Sequence, residues 1–283
     1  MSNCSIADGL RARLAWCVLV ALVLSSAQVA QASELRGTKD FADVAAAVER
    51  AVEKYGAEHV LLALDIDNTV MSMDNDLGSD HWFEWQRYLL ENEPNSPLLV
   101  AKDFDGLLKA QGILYAEGHM HPPHPEQPEL IANLQKRGIA TILLTSRGPE
   151  FREYTERELA RCKYDFAATA LAYDPTQPEK DGLTAAEVVT YKLPEPRPVS
   201  YAKGLFMTAG QHKGIMLLTL LKDSSRDIKA VVYVDDNVKH VGNVFTAAVD
   251  RNLDVSSFHF QREDTRVQRF NYSDKKDVDS HWK

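Results

Sequence analysis

Residues 60–69 read VLLALDIDNT: five consecutive apolar residues run straight into two aspartates, Asp65 and Asp67. An unbroken apolar run of this length, closed by polar residues, describes a strand buried on both faces. Such strands sit in parallel sheets, whose crossover helices cover both sides. Carboxylates at the exit of a buried strand cost free energy unless they are paired, hydrogen-bonded or bound to a metal. Their partners have to come from elsewhere in the chain.

Outward from this stretch the same rhythm repeats. Phe41, Val44, Val48, Val52 and Tyr55 recur at helical spacing over 40–55, and Gly56 closes the pattern. IATILLTS (139–146) reads as a second strand, followed by a helix over 149–162. A helix over 213–221 leads into the strand IKAVVYVDD (228–236), a further helix spans 238–250, and DVSSFHF (254–260) reads as a last strand. Short apolar strands alternating with helices predict an α/β fold with a parallel sheet covered on both faces. Ligands of such sheets bind beyond the carboxyl ends of the strands.

Two segments interrupt the alternation. Residues 70–126 are far longer than a βα loop needs. They hold a helical run of their own, DHWFEWQRYLLEN (80–92), and return through the proline-rich HMHPPHPEQP. They are expected to form an inserted, mainly helical cap on a core made of 33–69 and 127–283. Residues 172–199 are expected to form a loop and a short hairpin on the rim.

The first 32 residues have a different character. Arg11 and Arg13 precede the apolar run from Leu14 to Leu24, and Ala30 and Ala32 form an A-x-A pattern. This predicts a secretory signal peptide cleaved after Ala32, and a mature protein exported to the periplasm. The apolar run falls short of the ~20 residues a spanning helix requires, so no stable membrane insertion is expected after cleavage. Loss of Arg11, Arg13 and Asp8 takes the net charge from −9 to −10, which offers little attraction to nucleic acid. Cys4 and Cys17 leave with the leader, so Cys162 has no internal disulfide partner and reads as a packed thiol on a helix.

The polar residues at the strand ends form a set: Asp65, Asp67 and Thr69; Thr145 and Ser146; Lys213 at a helix start; Asp235, Asp236 and Asn237. Phosphoryl transfer through an aspartyl-phosphate needs such a set. A carboxylate attacking a phosphate dianion meets like-charge repulsion, so a bridging cation is required. Asp65 and the Asp235–Asp236 pair are hard oxygen ligands suited to Mg²⁺. Lys213 adds positive charge for the transferring oxygens, and the Thr145 hydroxyl can hold one of them. Asp67 is left for proton work, protonating the leaving alkoxide and then deprotonating the attacking water.

The ordered set resembles the phosphatases of the haloacid dehalogenase-like (HAD-like) superfamily that carry an Asp-x-Asp-x-Thr motif, here as an exported bacterial member. The resemblance covers about residues 59–69, 127–163 and 200–260. It implies a doubly wound, Rossmann-like core sheet and a cap between the first and second motifs. It also implies Asp65 as nucleophile, Asp67 as acid/base and Thr69 as a brace for the loop. Thr145 is then the second-motif hydroxyl, Lys213 the third-motif lysine, and Asp235 with Asp236 the acidic metal motif. Mg²⁺ is further expected on the backbone carbonyl of Asp67. Which of Asp235 and Asp236 touches the metal directly stays open.

Other polar residues carry plainer expectations. Arg147 either contacts substrate or pairs with Glu150 on the surface. His119, His121 and His124 read as a solvated return loop rather than a zinc site. Trp82 and Trp85, spaced to Leu89, read as the cap's own core, the alternative being that one of Trp82, Phe83 and Trp85 reaches over the substrate's leaving group. Asp74, Asp76 and Asp80 read as a solvated acidic turn rather than a calcium site. The function expected from all this is an exported, Mg²⁺-dependent phosphomonoesterase acting on a small phosphorylated molecule. One alternative is a phosphotransferase using the same intermediate, which an alcohol acceptor would reveal. The other is a non-catalytic periplasmic or envelope binding protein on the same scaffold, which a p-nitrophenyl phosphate assay would reveal.

Overall fold

The computed structural model describes residues 33–172 and 197–282. The expected signal peptide, and nearly all of the expected rim loop and hairpin over 172–199, lie outside the described residues. The core is a seven-stranded sheet. Its strands are β1 (Glu34–Thr38), β2 (Val60–Leu64), β5 (Ala140–Thr145), β6 (Ser200–Ala202), β7 (Leu205–Met207), β8 (Ala230–Asp235) and β9 (Asp254–Phe260), in the order β1-β9-β8-β2-β5-β7-β6. Every neighbouring pair is parallel except β6 and β7. Strand β2 lies at the centre, with Leu61 opposite Ala140 of β5 on one side and Val231 of β8 on the other.

The pleat distributes the apolar residues of β2 between two layers. Val60, Leu62 and Leu64 join the core that Phe41, Val44 and Val48 of helix α1 (Phe41–Tyr55) complete, together with Ile131 and Leu134 of α4 (Gln127–Lys136) and Leu159 of α5 (Arg152–Arg161). Leu61 and Ala63 face the opposite core, with Met216, Leu217 and Leu220 of α6 (Lys213–Asp223) and Val244 and Ala248 of α7 (Val238–Val249). Each face of the sheet is thus covered by helices, which is the doubly wound α/β class expected from the sequence. Helix α1 begins at Asp40, whose carboxylate accepts from the Ala42 amide, and ends at Gly56, whose φ of 86° an L-residue adopts only with strain.

Between β2 and α4 the chain leaves the sheet through a two-stranded antiparallel ladder. Ser72–Met73 (β3) pairs with Met120–His121 (β4). Beyond this neck stand two helices, α2 (Asp80–Asn92) and α3 (Phe104–Glu117), started by the side chains of Ser79 and Asp103. Glu158 of α5 anchors the return: its fully buried carboxylate accepts from the Met120 amide at 2.7 Å and from Arg157 and Arg161. The Cys162 thiol is buried and donates to the Met120 carbonyl, as expected of a packed cysteine.

The chain ends in two helices that the sequence pattern did not announce, α8 (Asp264–Tyr272) and α9 (Lys276–Trp282). Phe270 and Val278 from this segment bury against Trp82 of α2 and Leu107 of α3. Arg266 donates to Asp76 at 2.8 Å and to the Met73 carbonyl at 2.6 Å. Trp82 is therefore core, but the core it completes includes the C-terminal helices and not the insertion alone. Strand β1 was likewise unexpected. No helix among the described residues is long and apolar enough to cross a membrane.

Candidate active site

β2, β5 and β8 are the central strands, and their carboxyl ends converge on one cleft of about 670 Å³. Asp65, Asp67, Thr145, Lys213, Asp235 and Asp236 all line it. The insertion forms the opposite wall, through Phe83 and Glu84 of α2 and Phe104, Leu108 and Tyr115 of α3 among others.

Lys213 is the electrostatic hub. It opens α6 behind His212, whose ring accepts from the Ile215 amide. Its ammonium, 1% exposed, donates to Asp65 Oδ1 and, at 2.7 Å, to Asp235 Oδ2. Burial disfavours the Lys213 charge, but attraction to Asp235 and Asp65 outweighs that cost and raises its pKa. Burial also pushes the Asp65 carboxyl up, to about 7, and repulsion from Asp235 and Asp67 adds to the rise against the pull of Lys213.

The two aspartates of β8's exit divide their labour. Asp235 is fully buried and accepts three hydrogen bonds, from Lys213, the Tyr233 hydroxyl, and the Asn237 amide at 2.8 Å. Asp236 is only partly buried and accepts from Asn68 Nδ2 at 2.9 Å. Oxygens of Asp65, Asp235 and Asp236 lie within 4.8 Å of one another. All three carboxylates could offer an oxygen to a cation, and Asp235 also holds Lys213 in place. Tyr233 was missed by sequence reasoning. Its signal was a phenol in an otherwise apolar strand, two residues before Asp235 and so on the same pleat face.

A divalent cation fits this donor set on charge as well as spacing. Asp65, Asp67, Asp80, Asp235 and Asp236 line the cleft, with Lys213 and Arg147 the only buried cations among its described lining residues. Desolvation, followed by repulsion from Asp80, Asp235 and Asp65, drives the Asp236 pKa well above its ordinary value. Hard carboxylate oxygens in excess of local positive charge are the environment in which Mg²⁺ binds.

Arg147 is not a surface partner of Glu150: its side chain is 3% exposed, lines the cleft and clamps Asp67. Nε reaches Asp67 Oδ2 at 2.9 Å and Nη2 reaches Oδ1 at 2.8 Å, while Nη1 donates to Thr155 Oγ1 at 2.8 Å. The guanidinium lies 4.1 Å from the centre of the Tyr115 ring, so a helix of the insertion touches the Asp67 clamp.

Thr145 closes β5 with its hydroxyl accepting from the Arg147 amide at 3.1 Å, and the neighbouring Ser146 hydroxyl is buried in the cleft wall without a hydrogen-bond partner among the described residues. The loop after β2 turns at Asn68, whose φ of 58° is a left-handed conformation that Asn tolerates. The Thr69 hydroxyl also lacks a partner among the described residues. What braces the loop is Gln127 of α4, donating to the Thr69 carbonyl at 2.9 Å.

The acidic run is not a solvated turn throughout. Asp74 pairs with His121, and Asp76 is held by Arg266 and His81. Asp80 opens α2 and faces the cleft, its pKa driven well above the ordinary range by burial and then by Asp67, Glu84 and Asp65. His119 contacts Glu158 and His121 contacts Asp74, and no group of potential metal ligands among the described residues includes the three return-loop histidines.

Residues 37–283 match the family described as "Protein of unknown function (DUF2608)". No curated protein matches the chain.

Proposed function

We propose that this chain, which belongs to the DUF2608 family, is an exported, Mg²⁺-dependent phosphomonoesterase of the HAD-like superfamily acting through an aspartyl-phosphate on Asp65. The carrying observation is the buried Lys213 ammonium bonded to both Asp65 and Asp235, with Asp236 in reach, at the carboxyl ends of adjacent strands. A structural ion pair has no need of three clustered carboxylates opening into a cleft. A nucleophile that must approach a phosphate does.

In the proposed reaction Asp65 attacks phosphorus. A carboxylate oxygen–phosphorus bond forms as the ester oxygen departs, and that oxygen takes the proton held by Asp67. Water then attacks the aspartyl-phosphate, Asp67 accepts its proton, and inorganic phosphate leaves with Asp65 regenerated. Lys213 orients the nucleophile and attracts the transferring oxygens. The hydroxyls of Thr145 and Ser146 are available to receive one of them. Mg²⁺, held by Asp65 and Asp236 and by the Asp67 carbonyl that the superfamily resemblance implies, would supply the positive charge that lets two anions meet.

The test is hydrolysis of p-nitrophenyl phosphate by the purified protein. Activity should vanish with chelator and return with Mg²⁺, and Asp65→Asn should lose turnover by several orders of magnitude. Full activity after exhaustive metal removal, or an active Asp65→Asn variant, overturns the proposal. For export, the mature protein in the periplasmic fraction should begin at Ser33. An intact Met1 terminus there would refute it.

A further inference from the structure

The cleft is much larger than a phosphate requires, and its insertion-side wall is not uniform. Phe83 of α2 and Phe104 at the start of α3 meet there edge to face, with ring centres 6.2 Å apart at 69°. Neighbouring aromatics on α2 are used differently. Trp82 is buried to 1% in the core with Phe270, and Trp85 packs edge-on to the same Phe270 ring. Phe83, a step of about 100° around the helix from Trp82, packs against the edge of that core but, part-buried, also lines the cleft, which neither tryptophan does. Arg197 covers one side of Phe104, its guanidinium carbon 5.6 Å from the ring centre. Two rings from separate helices, half covered and opening on the same cleft as Asp65, form a surface that only a ligand finishes burying.

Charge narrows the class of that ligand. Among the described residues the cleft is lined by eight acidic and five basic side chains. With Lys213 and a divalent cation committed to the reacting phosphate, the rest of the lining would offer no surplus positive charge to a leaving group bearing further phosphates, and a planar uncharged ring needs none. Resting on the phosphomonoesterase reading, we propose that Phe83 and Phe104, with Arg197 behind Phe104, form a leaving-group subsite for a flat aromatic or heteroaromatic ring. The substrate class is a monophosphate ester of an aromatic alcohol or a nucleoside.

The experiment compares substrates that share their reacting ester and differ in the ring. Adenosine 5′-monophosphate is set against ribose 5-phosphate, and benzyl phosphate against glycerol phosphate, all with Mg²⁺. Ring-bearing members should show a kcat/KM roughly 10-fold or more above their partners, and the two pairs together tell a nucleoside from a simple aromatic. Phe104→Leu and Phe83→Leu keep apolar bulk but remove the ring face. Each should lower the adenosine-to-ribose ratio about 5- to 100-fold, the range of base–aromatic stacking. Ile113→Ser, on the exposed side of α3 and outside the cleft lining, should leave the ratio where it was. Equal kcat/KM within each pair, or ratios unmoved by both Leu variants, overturns the subsite while leaving the phosphatase reading intact. If no ester is hydrolysed the phosphatase reading falls. Calorimetry with Asp65→Asn then decides the subsite: tighter binding of adenosine 5′-monophosphate than ribose 5-phosphate sustains it, and equal affinity overturns it.

Discussion

The clamp between Arg147 and Asp67 carries the sharpest energetic consequence of the structure. Both side chains are withdrawn from water, at 3% and 17% exposure, and two parallel hydrogen bonds of 2.9 and 2.8 Å join them. Arg147→Met keeps the apolar stem but leaves Asp67 beside Asp65 and Asp80 without its cation. Removing one partner of a buried pair costs about 3–5 kcal/mol, because the remaining charge is stranded. Loss of the contact with the Tyr115 ring, 4.1 Å away, adds up to about 2 kcal/mol. Against a total stability of about 5–15 kcal/mol this is a large fraction. Asp67→Asn strands the Arg147 cation instead and should cost about 3–5 kcal/mol for the same reason. With both changes no charge is stranded, so the double variant should be more stable than the sum of the singles implies, by about 2–3 kcal/mol. Urea denaturation of all four proteins in chelator, at one pH, measures the cycle without any contribution from metal binding. Each single change should also lower Tm by about 6–20 °C. Costs that add within about 0.5 kcal/mol would show that the two residues are not a coupled unit and would refute the reasoning.

If Asp67 moves protons, Asp67→Asn should slow hydrolysis by ~10²–10⁴-fold among folded molecules. Phosphoryl-enzyme formation should suffer more with an alkyl phosphate than with p-nitrophenyl phosphate, whose leaving group departs unprotonated; equal slowing in single-turnover kinetics would remove the acid role. Phe270, 2% exposed and 4.7 Å from the His81 ring, holds the C-terminal helices to the insertion. Phe270→Ala should cost about 3–5 kcal/mol and expose residues near the C-terminus to protease. A loss under about 1 kcal/mol with unchanged proteolysis would show that these helices are held by other contacts.

Much of the core was legible because burial on both faces leaves its mark in a strand. β2, β5 and β8 are buried along their whole length, so their sequences are apolar apart from Thr141 and their polar exits stand out. β1 lacks any such mark: Leu35 is exposed at the sheet edge, and the strand is defined by backbone pairing with β9, distant in the chain. The C-terminal helices bury mainly Phe270 and Val278, too sparse a pattern to read as an apolar face.

The sequence by itself determined an α/β class with a parallel sheet covered on both faces, and the residues that close its central strands, because strand period and apolar runs are local properties of the chain. The doubly wound form came with the superfamily resemblance. Tertiary structure alone decided how those residues pair. Arg147 follows a strand like many surface arginines, and only the packing of β5 beside β2 brings it to Asp67. Asp80 begins a helix like many solvated aspartates, and only the position of α2 over the strand ends turns it into the cleft. Asp235 and Asp236 are identical in type, yet one accepts from Lys213, Tyr233 and a backbone amide while the other accepts from Asn68. Charge and residue type are written in the chain. The withdrawal of water that gives two neighbouring carboxylates different partners arises only when distant segments pack together.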